Sequence, residues 1–332
     1  MWTPEGFDRY RELYPRTPPL LPEPDREWTG AFARIWHAGP GAAAQVLTPS
    51  ASSTTIVFVR GYLGHYMPRN LTAARDALRR LGFDAFVVAN YAGGTVARNV
   101  AAMARHLERR PTRQRLVFCA HSRAGVECLS LLAQHASYAE RCDGVVLSQA
   151  PHGPSSVIES VLMGRHRESL RSVRRHAAER VQHAGLLLLR ARAGGRELSS
   201  DIWPEIVASV ERAPRPFPIL QTASWSSQPT AWLDSFHERL SEIGPGRAHD
   251  GQFFLNDLIW PGVPHVLLPN VDHAQPVVGG FGFDPARYWL AALALLFRGT
   301  TGAGVQVPQY QRAEGEGAAA EANSSMKGSR PC

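Results

Sequence analysis

The sequence lacks any long hydrophobic run. No stretch of its 332 residues approaches the roughly 18 consecutive apolar residues that a membrane-spanning helix needs. The N-terminus has no basic patch followed by an apolar core, so no secretory signal peptide is predicted. Without either feature we expect a cytoplasmic protein. The hydrophobic fraction of 44% is ordinary for a globular chain with one large domain or two modest ones.

Cysteine is also scarce. The four cysteines are Cys119, Cys128, Cys142 and Cys332, and none of them shows a metal-ligand spacing such as C-x-x-C. We therefore expect free thiols in a reducing compartment and predict no metal site. A disulfide between Cys128 and Cys142 is the alternative.

The formal net charge is +7, and much of the surplus is arginine between Arg165 and Arg196. No nucleic-acid-binding motif accompanies the charge, and no aromatic residues interleave with these arginines, so a nucleic-acid partner is not predicted. Two interpretations stay open. The basic surface can make weak contact with an anionic membrane or an acidic substrate, or it is an ordinary solvated face. The oligomeric state is unknown from the sequence.

Apolar strands alternate with helices over the first half of the chain. Strands are predicted at 54–59, 85–89, 116–121 and 144–147, and helices between them at 68–81, 96–107 and 123–134. The strands show no alternation of polar and apolar residues, which is typical of a parallel sheet covered by helices on both faces.

The strand pattern breaks over residues 151–216, where the apolar spacing is mostly helical. This segment is predicted to be a helical cap or lid inserted over the sheet. Strands resume at 217–222 and 266–268, with helices at 230–243 and 285–297. Residues 29–150 and 217–298 would then form the core.

The two ends of the chain differ in composition from this core. Residues 1–28 are rich in proline and charge and are predicted to form an irregular arm. Short apolar pieces within 29–48, split by Gly39-Pro40-Gly41, could form a leading hairpin. Residues 299–332 are rich in Gly, Ala, Glu and Ser, which predicts a disordered tail.

The stretch with the clearest chemical character is the turn between the strand ending at His121 and the next helix. Ser122 stands at this turn, with Ala120 two residues before it, Ala124 two residues after it, and then Gly125. A serine on a sharp strand-to-helix turn exposes its hydroxyl, and the turn tolerates only tiny flanking residues. The usual pattern has glycine at both flanks, so this is a near match to a nucleophile elbow.

A serine nucleophile needs a histidine base and a carboxylate that orients it. His273 follows the last predicted strand and lies at its carboxyl end, which is the correct edge. His249 and His265 are alternatives, although His265 begins that strand and lies at the wrong edge. We predict His273 as the base.

The acid is predicted on the loop between the last two strands, at Asp250. A carboxylate before a glycine is also common in plain turns. Asp257, Asp272 and Asp234 are alternatives. Asp272 is adjacent to His273 in sequence and could hardly reach round to its ring, and Asp234 falls in a helical pattern.

Cleavage of an ester passes through an oxyanion that backbone N–H groups stabilise. One donor is predicted to be Arg123, directly after the nucleophile. The other is predicted on the loop after the first strand, where Gly61 allows a tight fold; Tyr62 is the first choice and Leu63 the second. Alternatively, the glycines there serve only a turn.

The chain resembles an α/β-hydrolase of the bacterial lipase and esterase kind. The resemblance covers roughly residues 54–298 and rests on four places: Arg60-Gly61, Ala120 to Gly125, Pro151-His152-Gly153, and Asp250-Gly251 together with Asp272-His273. It implies the α/β-hydrolase fold, a mostly parallel sheet flanked by helices with a helical cap.

The resemblance also implies a triad of Ser122, Asp250 and His273, no metal or organic cofactor, and a small-molecule or lipid ester as substrate. Arg60 stands where the family has histidine, and could salt-bridge or contact an anionic substrate group. An acyltransferase, thioesterase or amidase would use the same triad. A non-catalytic binding protein would have a broken one.

Overall fold

The computed structural model describes residues 2–3, 10–18, 20, 26–110, 114–166, 181, 184–185, 190–228 and 234–300. Its centre is a six-stranded sheet in which every pair of neighbouring strands is parallel, in the order β2-β1-β3-β4-β5-β6. The strands are β1 Thr54–Val59, β2 Asp84–Val87, β3 Arg115–His121, β4 Cys142–Ser148, β5 Ile219–Trp225 and β6 His265–Pro269.

Helices connect these strands, as parallel strands require, and further helices precede β1 and follow β6. The described helices are α1 Tyr10–Leu13, α2 Thr29–Leu47, α3 Thr72–Arg80, α4 Val96–Arg109, α5 Ala124–Gln134, α6 Ala136–Ala139, α7 Ser156–Met163, α8 Arg192–Glu197, α9 Trp203–Glu211, α10 Asp234–Ile243, α11 Gln275–Val278 and α12 Pro285–Thr300. The carboxyl ends of all six strands lie at one edge of the sheet, and the loops that leave this edge carry Gly61, Ser122 and His273.

The sheet is buried on both faces, which explains its mostly apolar strands. In β1, Val57 and Val59 contribute to one core, whereas Ile56 and Phe58 contribute to the other. Successive side chains of a strand point to opposite faces, so a strand buried on both faces is apolar at most positions. The predicted parallel sheet with helices on both faces is confirmed.

Each face has its own helical layer. The long helix α12 packs against α2 and α3 over one core, and α4 packs against α5, which also contacts α9, over the other. Trp289 and Leu293 on α12 are fully buried. Among the described helices, none combines the length and the apolar character that a bilayer crossing requires.

The hairpin expected within 29–48 is wrong, because this segment is the helix α2. Its buried residues Phe32, Ile35 and Trp36 recur at helical spacing, and the helix is broken only at Gly39, whose φ of 86° and ψ of 176° are not helical. Pro40 restarts the helix at its first position, where the missing N–H of proline is no loss. The Gly-Pro-Gly sequence therefore breaks a helix instead of joining two strands.

Several sequence predictions fall partly outside the described residues. Between 151 and 216 the structure describes helices α7, α8 and α9 and, within those described parts, no strand. Residues 167–180, which hold much of the arginine, and the tail 301–332 lie outside the described residues. Cys119, Cys128 and Cys142 are buried free thiols, so the disulfide between Cys128 and Cys142 is not formed.

Candidate active site

Ser122 stands at a strained turn between β3 and α5. Its φ is 59°, in the left-handed region that non-glycine residues seldom adopt. Its backbone N–H donates to the carbonyl of Ser148 at 2.9 Å, and the small neighbours Ala120 and Ala124 are fully buried. A serine held in this conformation presents its hydroxyl at the edge of the sheet, as the nucleophile elbow does.

The loop after β1 comes into direct contact with this serine through Gly61. A Cβ placed on Gly61 would lie 2.8 Å from the Cβ of Ser122 and 2.8 Å from the carbonyl oxygen of His121. Only a residue without a side chain fits there. Gly61 therefore lets the backbone of Tyr62 and Leu63 pass close to the serine.

His273 and Asp250 form a buried pair. Nδ1 of His273 lies 2.7 Å from Oδ2 of Asp250. The other carboxylate oxygen of Asp250 accepts hydrogen bonds from the backbone N–H groups of Gln252 and Phe253, both at 2.9 Å. The backbone carbonyl of Asp250 accepts from the N–H of His273, also at 2.9 Å. These bonds fix the carboxylate and leave Nε2 as the nitrogen of His273 that is available for proton transfer.

Ser122 and His273 line one cavity of about 270 Å³. Most of its remaining lining is apolar: Leu63, Ile158, Val161, Leu198, Phe236 and Phe253 are among the residues that form it. Among the hydrogen bonds of the described residues, none joins the hydroxyl of Ser122 to His273. Proton transfer between them requires a closer approach, which commonly occurs only once substrate is bound.

The backbone N–H groups predicted as oxyanion donors differ in whether they already donate to another acceptor. The N–H of Leu63 already donates to the carbonyl of Ala92 at 2.8 Å. Within the described part of the chain, neither the N–H of Tyr62 nor the N–H of Arg123 has an acceptor. Tyr62 is therefore a better candidate than Leu63 for the second oxyanion donor.

Comparison with known proteins agrees with this architecture. No protein-family model and no curated protein matches the sequence. Solved structures do match: a metagenomic carboxyl esterase has a TM-score of 0.56 at 20% identity, covering 75% of this chain and 76% of its own. The mature lipase of Bacillus licheniformis has a TM-score of 0.52 at 16% identity, covering 72% and 91%. The chain has the α/β-hydrolase fold.

A third solved structure of this fold is the lipase of Staphylococcus hyicus, with a TM-score of 0.51 and 10% identity over 74% of this chain and 96% of its own. At identities this low, the structural likeness shows a shared α/β-hydrolase fold and nothing further. The activity has to be argued from the residues of the site itself.

The alternative histidines take other positions in this α/β-hydrolase fold. His249 lies against His237, with ring centroids 4.4 Å apart, and its Nε2 is 3.0 Å from the hydroxyl of Ser241. Burial lowers the pKa of His249 to about 3. His265 begins β6, at the opposite end of that strand from His273. Neither of the two lines the cavity that contains Ser122.

The alternative acids stand in other local settings. Oδ1 of Asp272 accepts from the backbone N–H groups of Ala274 and Gln275, both at 2.9 Å, and so caps the short helix α11. Asp257 packs against Gly153, and Asp234 begins helix α10. The structure shows a bond to the ring of His273 from Asp250, whose Oδ2 lies 2.7 Å from Nδ1.

Arg60 lies outside the lining of the cavity, contrary to the expectation of a substrate contact. Burial, followed by the nearby charge of Arg75, lowers the pKa of Arg60. Leu63, the other predicted substrate contact, does line the cavity.

Sequence reasoning missed His121 and Gln149. Nε2 of His121 lies 2.8 Å from the carbonyl oxygen of His273 and 3.2 Å from Oε1 of Gln149, and the amide nitrogen of Gln149 donates to the carbonyl of Asp272 at 2.9 Å. Burial lowers the pKa of His121 to about 3, so the ring is neutral. The one available signal was position, because each residue stands at the carboxyl end of its strand.

Asp257 supplies a prediction on stability. Burial raises its pKa from 3.8 to about 6. The folded protein therefore binds more protons than the unfolded chain between about pH 4 and pH 6, and the free energy of unfolding falls as the pH rises through that window. Above this pH window the buried carboxylate of Asp257 is ionised, and its desolvation costs free energy that a neutral asparagine does not lose. We expect Asp257→Asn to be about 3 kcal/mol more stable than wild type at pH 7.5.

Urea unfolding at about pH 7.5 and about pH 3 measures this effect. The difference between Asp257→Asn and wild type should vanish at about pH 3, where the carboxyl group of Asp257 is protonated in the folded state and largely protonated in the unfolded one. The same stability difference at both pH values would show that desolvation of the carboxylate is not its source.

Proposed function

We propose that this protein is a serine hydrolase of carboxylic esters, with Ser122 as nucleophile, His273 as general base and Asp250 as its orienting carboxylate. The observation that carries the proposal is the buried Asp250–His273 pair, 2.7 Å apart, at a cavity that Ser122 also lines. A hydrogen-bonded carboxylate and imidazole at the same cavity as a serine are the components that acyl transfer requires.

The reaction follows from these positions. Ser122 Oγ attacks the ester carbonyl carbon while Nε2 of His273 takes its proton, and the carbonyl oxygen becomes an oxyanion held by the N–H groups of Tyr62 and Arg123. The C–O bond then breaks, and His273 returns the proton to the departing alcohol. Water attacks the resulting acyl-enzyme, loses its proton to His273, and releases the acid and free Ser122. Asp250 stays ionised and stabilises the imidazolium.

The lining of the cavity favours an apolar acyl group. Ile158, Val161 and Leu198 all come from the segment 151–216, so this segment supplies one wall of the cavity. This is the arrangement expected if residues 151–216 form a cap over the site. An apolar wall gains free energy by removing an acyl chain from water, whereas it would disfavour a charged substituent.

The proposal is tested with p-nitrophenyl esters of graded chain length and with a fluorophosphonate probe. We expect saturable hydrolysis, an optimum at one chain length, and covalent labelling that peptide mapping assigns to Ser122. Labelling without hydrolysis of any ester would keep the nucleophile and overturn the ester assignment; thioesters and amides would then be assayed. Absence of both hydrolysis and labelling would refute the triad and favour a binding protein.

A further inference from the structure

Both candidate oxyanion donors send their side chains to the same short stretch of chain. The phenol of Tyr62 donates to the carbonyl of Ala191 at 2.8 Å, and Nη1 of Arg123 donates to the carbonyl of Gly194 at 2.8 Å. Residues 191–197, which include helix α8, are called the anchor segment below. They lie within the proposed cap, well away in sequence from both donors.

The guanidinium of Arg123 is held from several sides although it is fully buried. Nη2 donates to the carbonyl of Gly94 and to Oε1 of Glu127, both at 2.6 Å. Glu197 of the anchor segment lies 3.7 Å from Nη1. A buried arginine is costly unless its charge is paired, and here Glu127 pairs the charge while both Nη1 and Nη2 have acceptors. These contacts define one position for the side chain.

The carboxylates around Arg123 are themselves fixed. Asn99 donates to Glu127 at 2.8 Å, and Oε2 of Glu197 accepts from the backbone N–H of Val96 at 2.7 Å. Glu197 therefore ties the anchor segment to the start of helix α4 as well as to Arg123. A group surrounded by such bonds transmits displacement to its neighbours because protein interiors are close-packed.

The fit of the anchor segment against the donors leaves no room for larger residues. A Cβ on Gly195 would lie 2.7 Å from the hydroxyl oxygen of Tyr62, and a Cβ on Gly194 would lie 2.5 Å from Nη1 of Arg123. The ring of Tyr62 also faces the guanidinium, 5.2 Å from its carbon Cζ. Burial raises the pKa of Tyr62, so its phenol keeps the proton that it donates.

From these contacts we infer that Tyr62 and Arg123 are positioning residues, whose side chains use the anchor segment to hold their own backbone N–H groups toward the oxyanion. The inference rests on the proposed function and extends it, because it makes a piece of the proposed cap part of the oxyanion hole. The acyl pocket and the stabilisation of the transition state would then depend on the same segment.

Tyr62→Phe tests the inference with the smallest change, because it removes one hydroxyl and keeps the ring. Deleting an oxyanion donor costs about 10²- to 10³-fold in kcat, so releasing one from its tether should cost about 10-fold. We expect KM to change less than about two-fold, since an interaction made only in the transition state acts on kcat. Affinity for a boronic acid that forms a tetrahedral adduct with serine should fall in parallel with kcat.

The matched control is Tyr138→Phe. The hydroxyl of Tyr138 also donates to a backbone carbonyl, that of Ala104 at 3.4 Å. Tyr138 does not line the cavity. This variant should keep wild-type kcat and boronate affinity. Arg123→Lys, which keeps the charge but cannot reach both Gly94 and Gly194, is a second test; if it fails to fold, Tyr62→Phe alone decides.

The outcomes separate this inference from the proposed function. If Tyr62→Phe has the kcat and the boronate affinity of wild type, the inference is overturned. The proposed function still stands in that case, provided that the wild type hydrolyses esters. A raised KM with wild-type kcat would also overturn it, because Tyr62 would then be a wall of the substrate pocket. If wild type hydrolyses no ester, the rate of fluorophosphonate labelling replaces kcat as the readout. A wild type that is not labelled would refute function and inference together.

Discussion

Replacing Ser122 with alanine is expected to lower kcat for ester hydrolysis by about 10⁵- to 10⁶-fold. The variant loses the oxygen that we propose forms the acyl-enzyme, and no other described serine or cysteine combines a position at the cavity with a neighbouring histidine. Alanine at 122 occupies the same strained turn with a similar volume, so the fold should survive. Measurement of kcat and of fluorophosphonate incorporation, with circular dichroism to confirm folding, gives the result.

Ser130→Ala is the matched control for this variant. Ser130 lies on helix α5, the helix that follows the turn at Ser122. It is buried to a similar extent, with 6% exposure against 7% for Ser122. Its removal should leave kcat within about two-fold of wild type, since it does not line the cavity. If Ser122→Ala kept a substantial fraction of wild-type turnover, Ser122 would not be the nucleophile.

The fold was predictable because its signals are local. A strand buried on both faces is mostly apolar, and Thr54–Val59 and Cys142–Ser148 lie close to the ranges that their composition predicts. Gly39-Pro40-Gly41 is typical of a turn and favours a hairpin over 29–48, whereas the structure has a helix there that is broken at Gly39. The period of Phe32, Ile35 and Trp36 is helical, and it was the better guide.

The candidate site was predictable only in part. Ser122 has a local signature, and His273 could be chosen because the carboxyl ends of parallel strands meet at one edge. The bond between Asp250 and His273 spans 23 positions, and several other carboxylates occur nearby in sequence, so only the folded geometry selects the acid.

The role of the Arg123 side chain was not predictable at all. The sequence suggested its backbone N–H as an oxyanion donor, whereas its guanidinium bonds to Gly94 and Gly194, 29 and 71 positions away. Carbonyl groups are present at every position and carry no sequence signature. Contacts between side chains and distant carbonyls therefore become visible only when the chain is folded.

Asp250→Asn is expected to lower kcat by about 10³- to 10⁴-fold. In the wild type, Oδ1 of Asp250 accepts two backbone N–H bonds, from Gln252 and Phe253, while Oδ2 faces Nδ1 of His273. The asparagine amide will place its only oxygen where those two donors point, so its NH₂ group faces Nδ1. His273 must then accept at Nδ1 and carry its proton on Nε2, where it cannot take a proton from Ser122.

The conformation of the loop should survive in Asp250→Asn, because both backbone bonds keep an acceptor, so the loss should be in kcat and not in folding. Asp257→Asn is the matched control: it removes a nearby carboxylate that does not bond His273, and should retain wild-type kcat at pH 7.5. The measurements are kcat from steady-state hydrolysis and the melting temperature, each determined for both variants and for wild type. If Asp250→Asn kept more than about a tenth of wild-type kcat, the orienting role would have to pass from Asp250 to the bonds of His121 and Gln149, which hold the same loop by its carbonyls.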